Sequence, residues 1–123
     1  MKRKNDPRHQ RRIKLMQDLF TYDFNAKIKS DGIQKILDNL EEIDELIQKS
    51  APNRPLVQVN NIDLAILRLA TFELIMDRQT PPKVVVDEAV ELGKEYGSES
   101  SAKFINGALG NLIEQEKIDT NGK

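Results

Sequence analysis

At 123 residues the chain is sized for one domain that buries roughly two thirds of its unfolded surface. It has no cysteine, which excludes disulfides, thiol catalysis and thiolate metal sites. The formal net charge of -1 averages two unlike parts: Lys2, Arg3, Lys4, Arg8, Arg11, Arg12 and Lys14 stand against Asp6 alone in residues 1–14, whereas the remainder holds twelve bases and nineteen acids. A basic head on an acidic body points to a nucleic-acid contact at one end and excludes a uniformly basic surface.

Residues 1–7 read as a flexible basic arm. No apolar run approaches the roughly 18 residues of a membrane span, and no signal-type hydrophobic core follows the arm, so a soluble cytoplasmic protein without a membrane partner is expected. Asp6-Pro7 is a cap followed by proline at the first helical position, and the helix it opens runs to about Asn25 with Ile13, Met16, Phe20 and Phe24 as one stripe. Arg8, Arg11 and Arg12 cluster within little more than one turn. The helix dipole slightly opposes cations there, so phosphate contact is the benefit that would repay their presence; a merely solvated face is the alternative.

Ala26 to Gly32 is a polar connection. Asp31 and Gln34 resemble a capping box, and Ile33, Ile36, Leu37, Leu40, Ile43 and Ile47 predict a single helix ending near Lys49. Asp38, Glu41, Glu42, Asp44 and Glu45 read as a solvated face, because neighbouring helix acids do not confront each other across a cleft as paired catalytic carboxylates must. Pro52 and Pro55 break the chain, and the short stretch to Val59 joins an N-terminal helical subdomain (8–59) to a C-terminal one (60–117).

The central helix, Asn60 to Met76, is apolar on nearly every side and needs partners around it. Asn60 is its cap and Asp63 an acid in its first turn. Glu73 falls on the apolar stripe, so it either forms a structural bond to an arginine or backbone amide, or faces a partner. After the turn at Arg78 to Pro82, Val85, Val86, Ala89, Leu92 and Tyr96 form the packed face of another helix, with Ala89 and Gly93 small enough to admit a neighbour, and Gly97 ends it. Ser98 or Ser100 caps the last helix, which carries Ala102, Ile105, Leu109, Leu112 and Ile113 to about Glu116; residues 118–123 should fray.

Read together, IDLAILRLATFEL, PPKVVVDEAVELGKEYG and SAKFINGALG, in this order and spacing, resemble the NusB family of bacterial transcription antitermination factors, and RRIKLMQDLF fits that family's arginine-rich start. The resemblance implies an all-α fold of two small packed helical bundles with about five to six helices and no catalysis. The N-terminal bundle should be shortened, because the family usually has a further helix where this chain has only Phe24 to Asp31. NusB proteins bind the boxA element of nascent RNA together with NusE, a small-subunit ribosomal protein, and so act on the RNA polymerase elongation complex.

Carried onto this chain, the implied RNA-binding residues are Arg3, Arg8, Arg11, Arg12, Phe20, Lys103, Phe104 and Asn106. Phe20 stands where the family usually has tyrosine and so lacks its hydroxyl. Phe104 is equally readable as core, and Asn106 as an internal hydrogen-bonding residue. Local rules would make Asn106-Gly107 a turn, whereas the resemblance puts it inside the last helix. The implied partner-binding residues are Asp63, as an exposed acid, then Leu67 and Glu73, with Leu67 also readable as core. Glu88 matches the family's Asn-Glu-Ala, with Asp87 in place of the asparagine. No cofactor or metal is implied. The competing reading is a protein-only helical scaffold without specific RNA binding; an enzyme, such as an RNA methyltransferase carrying a NusB-like domain, lacks any catalytic constellation in this sequence.

Overall fold

A computed structural model describes residues 6–27 and 30–120, so Arg3, most of the basic arm and the last three residues lie outside the described part. The described residues form α1 (Pro7–Phe24), a 3-10 turn (Asp31–Ile33), α2 (Gln34–Asp38), α3 (Leu40–Ser50), a second 3-10 turn (Leu56–Gln58), α4 (Asn61–Thr71), α5 (Pro82–Tyr96) and α6 (Ser101–Gln115). They include no strand. The all-helical expectation holds.

The cap at Asp6 forms as its sequence requires, its carboxylate accepting from the Arg8 amide at 2.8 Å with Pro7 at the first helical position. Asn60 likewise accepts from the amides of Ile62 and Asp63, at 2.8 and 3.4 Å. Every residue of α4 from Asp63 to Thr71 is buried. That follows from its place, since α4 lies against α1, α3, α5 and α6. The buried apolar side chains of these helices form one cluster around it. Ile66, Leu67, Ile105 and Leu109 are each almost wholly out of water, and each such side chain contributes about 1.5–3 kcal/mol of transfer free energy. Gly93 admits α6: a Cβ there would lie 2.8 Å from the Ile105 Cδ1 and 3.4 Å from the Ala102 nitrogen.

Four local expectations are corrected. The predicted helix from Ile33 to Lys49 is interrupted at Asn39, which sits at φ -114° and ψ 16°. Its side-chain amide donates to the Lys35 carbonyl at 2.8 Å, while its own N–H turns to Ile36; the side chain has taken the acceptor that continuous helix would use. The Asp31/Gln34 box does not form, because Gln34 donates forward to Asp38. At the start of α6 neither Ser98 nor Ser100 provides a side-chain cap, and the Ser101 hydroxyl instead accepts from the Ser98 amide at 2.8 Å. Ile118, placed in the fraying tail, folds back onto the core, its amide bonded to the Ile113 carbonyl.

The central helix also changes winding. Phe72–Asp77 is a π-helical continuation of α4, closed by Arg78 in the left-handed region at φ 56°, whose amide donates to the Glu73 carbonyl. Such single π turns inside α-helices often mark functional or special packing sites. This one carries Glu73.

Candidate nucleic-acid interface

The first turns of α1 divide their charges by helical geometry. His9, Arg12, Met16 and Leu19 are the buried residues of α1, spaced three, four and three apart, so they form one inward stripe. Arg8 and Arg11 lie off that stripe and are exposed. Arg8 also donates to the Asp6 carboxylate at 3.2 Å, and this bond holds the Asp6 carboxyl below its ordinary range. Arg11 makes no ion pair among the described residues. Arg12 is different. Its Nε and Nη2 donate to the two oxygens of Glu73 at 2.9 and 2.7 Å, and Nη2 reaches the Thr80 hydroxyl at 3.4 Å. Both partners are buried. Arg12, expected to touch phosphate with its neighbours, is thus engaged inward because it belongs to the stripe that packs on α4. Of the two roles open for Glu73, the structural bond is the one formed, and its carboxylate is not displayed to a partner.

His9 completes this inner layer. Its Nδ1 lies 2.9 Å from Glu88 and its Nε2 3.0 Å from Glu95, with the residue 2% exposed. A carboxylate only accepts, so the imidazolium is the form that donates to both. Burial opposes that charge, but the two hydrogen bonds outweigh it and the His9 pKa is raised above its ordinary 6.5. A pKa raised on folding adds stability that is complete below about pH 6.5 and is lost as pH rises through the folded value. The stability advantage over His9→Gln should therefore shrink as pH is raised from 6 towards 9, in urea titrations at each pH. His9 is the chain's one histidine, so an NMR titration reads it directly; a midpoint at or below 6.5 would contradict the assignment.

Arg8, Arg11 and Arg12 share a recess of about 410 Å³ with Lys35 of α2, and Asp31 and Asp77 temper its positive charge. Lys35 was not singled out by the sequence; α2 brings it beside the arginines.

The second group of expected RNA residues opens α6. Lys103 and Asn106 are exposed, and Asn106-Gly107 continues the helix as the resemblance implied. Phe104 is half-buried, and the Arg54 guanidinium lies over its ring, 4.1 Å from the centroid. Lys103 and Phe104 border a different recess from the α1 arginines, and Asn106 lines neither. Phe20 is half-buried against the core and meets Phe24 edge to face at 5.0 Å. Phe24 itself is 66% exposed.

The partner residues are placed mostly inward. Leu67 is 1% exposed, a core side chain on the α4 face towards its neighbours. Asp63, expected as an exposed acid, is 2% exposed, and one of its oxygens has no hydrogen-bond partner. Burial raises its pKa, while Ser101 and the charge of Arg54 draw it back down. Asp63 is covered because α6 starts directly against the first turn of α4.

Comparison with known proteins defines the class to which this arrangement belongs. The NusB family pattern matches residues 9–114. The chain is a member of the NusB family. A transcription antitermination protein NusB of Roseiflexus castenholzii is 43% identical over 82 residues, covering 65% of this chain and 58% of that protein. One of Chloroflexus aggregans is 48% identical over 73 residues, covering 58% and 49%. The chain thus spans about half the length of these relatives; with that of Alkaliphilus oremlandii, 43% identical over 97 residues, the match reaches 76% and 70%. The solved structure of T. maritima NusB superposes with a TM-score of 0.78 at 30% identity, over 89% of this chain and 92% of that one. A chain in a crystal structure of a plectonemic RNA supercoil has the same fold, with a TM-score of 0.77 at 24% identity.

Proposed function

We propose that this protein is a non-enzymatic transcription antitermination adaptor of the cytoplasm. It holds boxA-like single-stranded RNA together with NusE and through them acts on the RNA polymerase elongation complex. The observation that carries this reading is the split of the α1 charges within a chain of the NusB family: His9 and Arg12 are used for packing, and Arg8 and Arg11 are left on the solvent side beside Lys35. Cations so displayed on an otherwise acidic chain suit phosphates, and Lys103, Asn106 and the accessible edge of Phe104 suit the bases and backbone of unpaired RNA. The basic arm, Arg3 included, adds further phosphate contacts in this reading. NusE is assigned to the beginning of α4, and with Asp63 and Leu67 covered, the contact falls to what is exposed there: Asn60, Asn61 and Val57, which is 93% exposed.

The test is a titration of boxA RNA, with and without NusE, at two salt concentrations. Arg11→Ala should weaken binding and reduce the slope of log K against log salt by about one phosphate contact. An affinity and slope identical to the wild type would remove Arg11 from the site. Binding of NusE with no RNA affinity in either condition would favour the protein-only scaffold.

A further inference from the structure

The recess between the α3–α4 connection and α6 has a composition unlike the rest of the surface. It measures about 500 Å³, within the roughly 300–1,000 Å³ of ligand-sized sites, and Arg54 and Lys103 line it without any carboxylate. Elsewhere in the sequence acids outnumber bases; the buried Asp63, whose carboxyl feels the charge of Arg54, lies outside the lining, so the hollow's own surface carries only positive charge. Arg54 is exposed and makes no ion pair among the described residues, although it belongs to a residue type that normally finds one. Its guanidinium is held instead over Phe104 at 4.1 Å.

The loop that presents Arg54 is fixed. Gln48 of α3 donates to the carbonyls of Ala51 and Arg54 at 3.3 and 3.1 Å and accepts from the Leu56 amide at 3.0 Å. From the other side, Asn111 of α6 donates to the Ser50 carbonyl at 2.9 Å. One side chain therefore ties down both ends of the Pro52–Pro55 turn, and binding there incurs little ordering cost.

We propose that this recess is a nucleotide subsite for single-stranded RNA, in which a base stacks on the outer face of the Arg54 guanidinium, backed by Phe104, while Lys103 takes the adjoining phosphate. The inference rests on the RNA-binding reading above and adds to it a residue, Arg54, outside the motifs that carry the family resemblance. A planar cation on an aromatic ring offers a second flat surface of the right polarity to any base, which a lysine cannot do.

The decisive measurement uses boxA RNA oligonucleotides carrying 2-aminopurine at successive single positions, titrated into wild type, Arg54→Ala, Arg54→Lys and Arg11→Ala proteins, each with circular dichroism to verify folding. Wild type should change the fluorescence at one position by stacking. Arg54→Ala should lose that signal and bind about five- to a hundredfold more weakly. Arg54→Lys should retain the salt slope and still lose the signal. Wild-type affinity and signal in Arg54→Ala, with Arg11→Ala weakened, would overturn the subsite and leave the RNA-binding reading standing. A loss in Arg54→Ala fully restored by lysine would reduce Arg54 to a phosphate contact and overturn the stacking. Weakened NusE binding by Arg54→Ala without RNA, and no fluorescence change at any position, would make the recess a protein contact. No RNA binding by wild type, with or without NusE, would overturn both readings.

Discussion

Arg68→Ala should lower the free energy of unfolding by about 3 kcal/mol, measured by urea denaturation at neutral pH. Arg68 is 7% exposed in the middle of α4. Its Nε and Nη2 donate to the two oxygens of Asp44 at 2.9 Å each, and its Nη1 donates to Asp23 at 2.8 Å. One guanidinium thereby joins the central helix to α3 and to the end of α1. Burial opposes its charge, but the two aspartates more than compensate and its pKa is raised. Removing it strands two carboxylates against each other and opens a void. Because the side chains of Asp23 and Asp44 keep 20% and 25% of their exposure, water recovers part of that loss, which places the effect at the lower end of the roughly 3–5 kcal/mol for breaking a buried pair. Arg68→Lys keeps the charge but not the fork, so it should fall between the two proteins. A loss below about 1 kcal/mol in Arg68→Ala would mean the triad behaves as a surface pair and does not hold the three helices together.

Arg12→Ala should cost about 3–5 kcal/mol for the related reason that Glu73 would keep its place under α1 with no cation to meet it. The side chains of both partners are only 11% exposed, and two parallel bonds join them. The double variant Arg12→Met, Glu73→Leu removes both charges and fills the volume, so it should be much closer to the wild type than Arg12→Ala alone. A double variant that is additive in the two single losses would show that the pair is not coupled. This expectation decides how RNA binding is tested. A protein lacking Arg12 loses affinity by unfolding, whereas Arg11, one residue away and on the solvent side, reports on RNA alone.

Several elements were readable from local chemistry. Asp6-Pro7 and Asn60 announced helix starts, and each does what its side chain can do within three residues. The apolar repeats of α4, α5 and α6 predicted most of their buried faces, although Tyr96 at the end of α5 is 41% exposed, and Gly93 marked the close approach of α6. The three motifs that resemble the NusB family lie on α4 with its π turn, α5 and α6. The inward stripe of α1 is partly visible in the sequence as well, because His9 and Arg12 continue the Met16 and Leu19 spacing back to the first turn, which separates Arg12 from Arg8 and Arg11.

The sequence by itself determined that the chain is helical, where its central helix begins and why that helix must be covered on all sides, because capping and hydrophobic periodicity act over a few residues. Only the tertiary structure decided which charges are spent on packing. Glu73 meets Arg12 across 61 positions, His9 meets Glu88 and Glu95 across 79 and 86, and Arg54 of the α3–α4 connection meets Phe104 of α6 with α4 and α5 between them in the chain. No local propensity encodes such a pairing. It arises when α4 draws distant segments together and the basic groups carried inward, His9, Arg12 and Arg68, each meet a carboxylate, while Arg8, Arg11, Lys35, Arg54 and Lys103 stay on the solvent side.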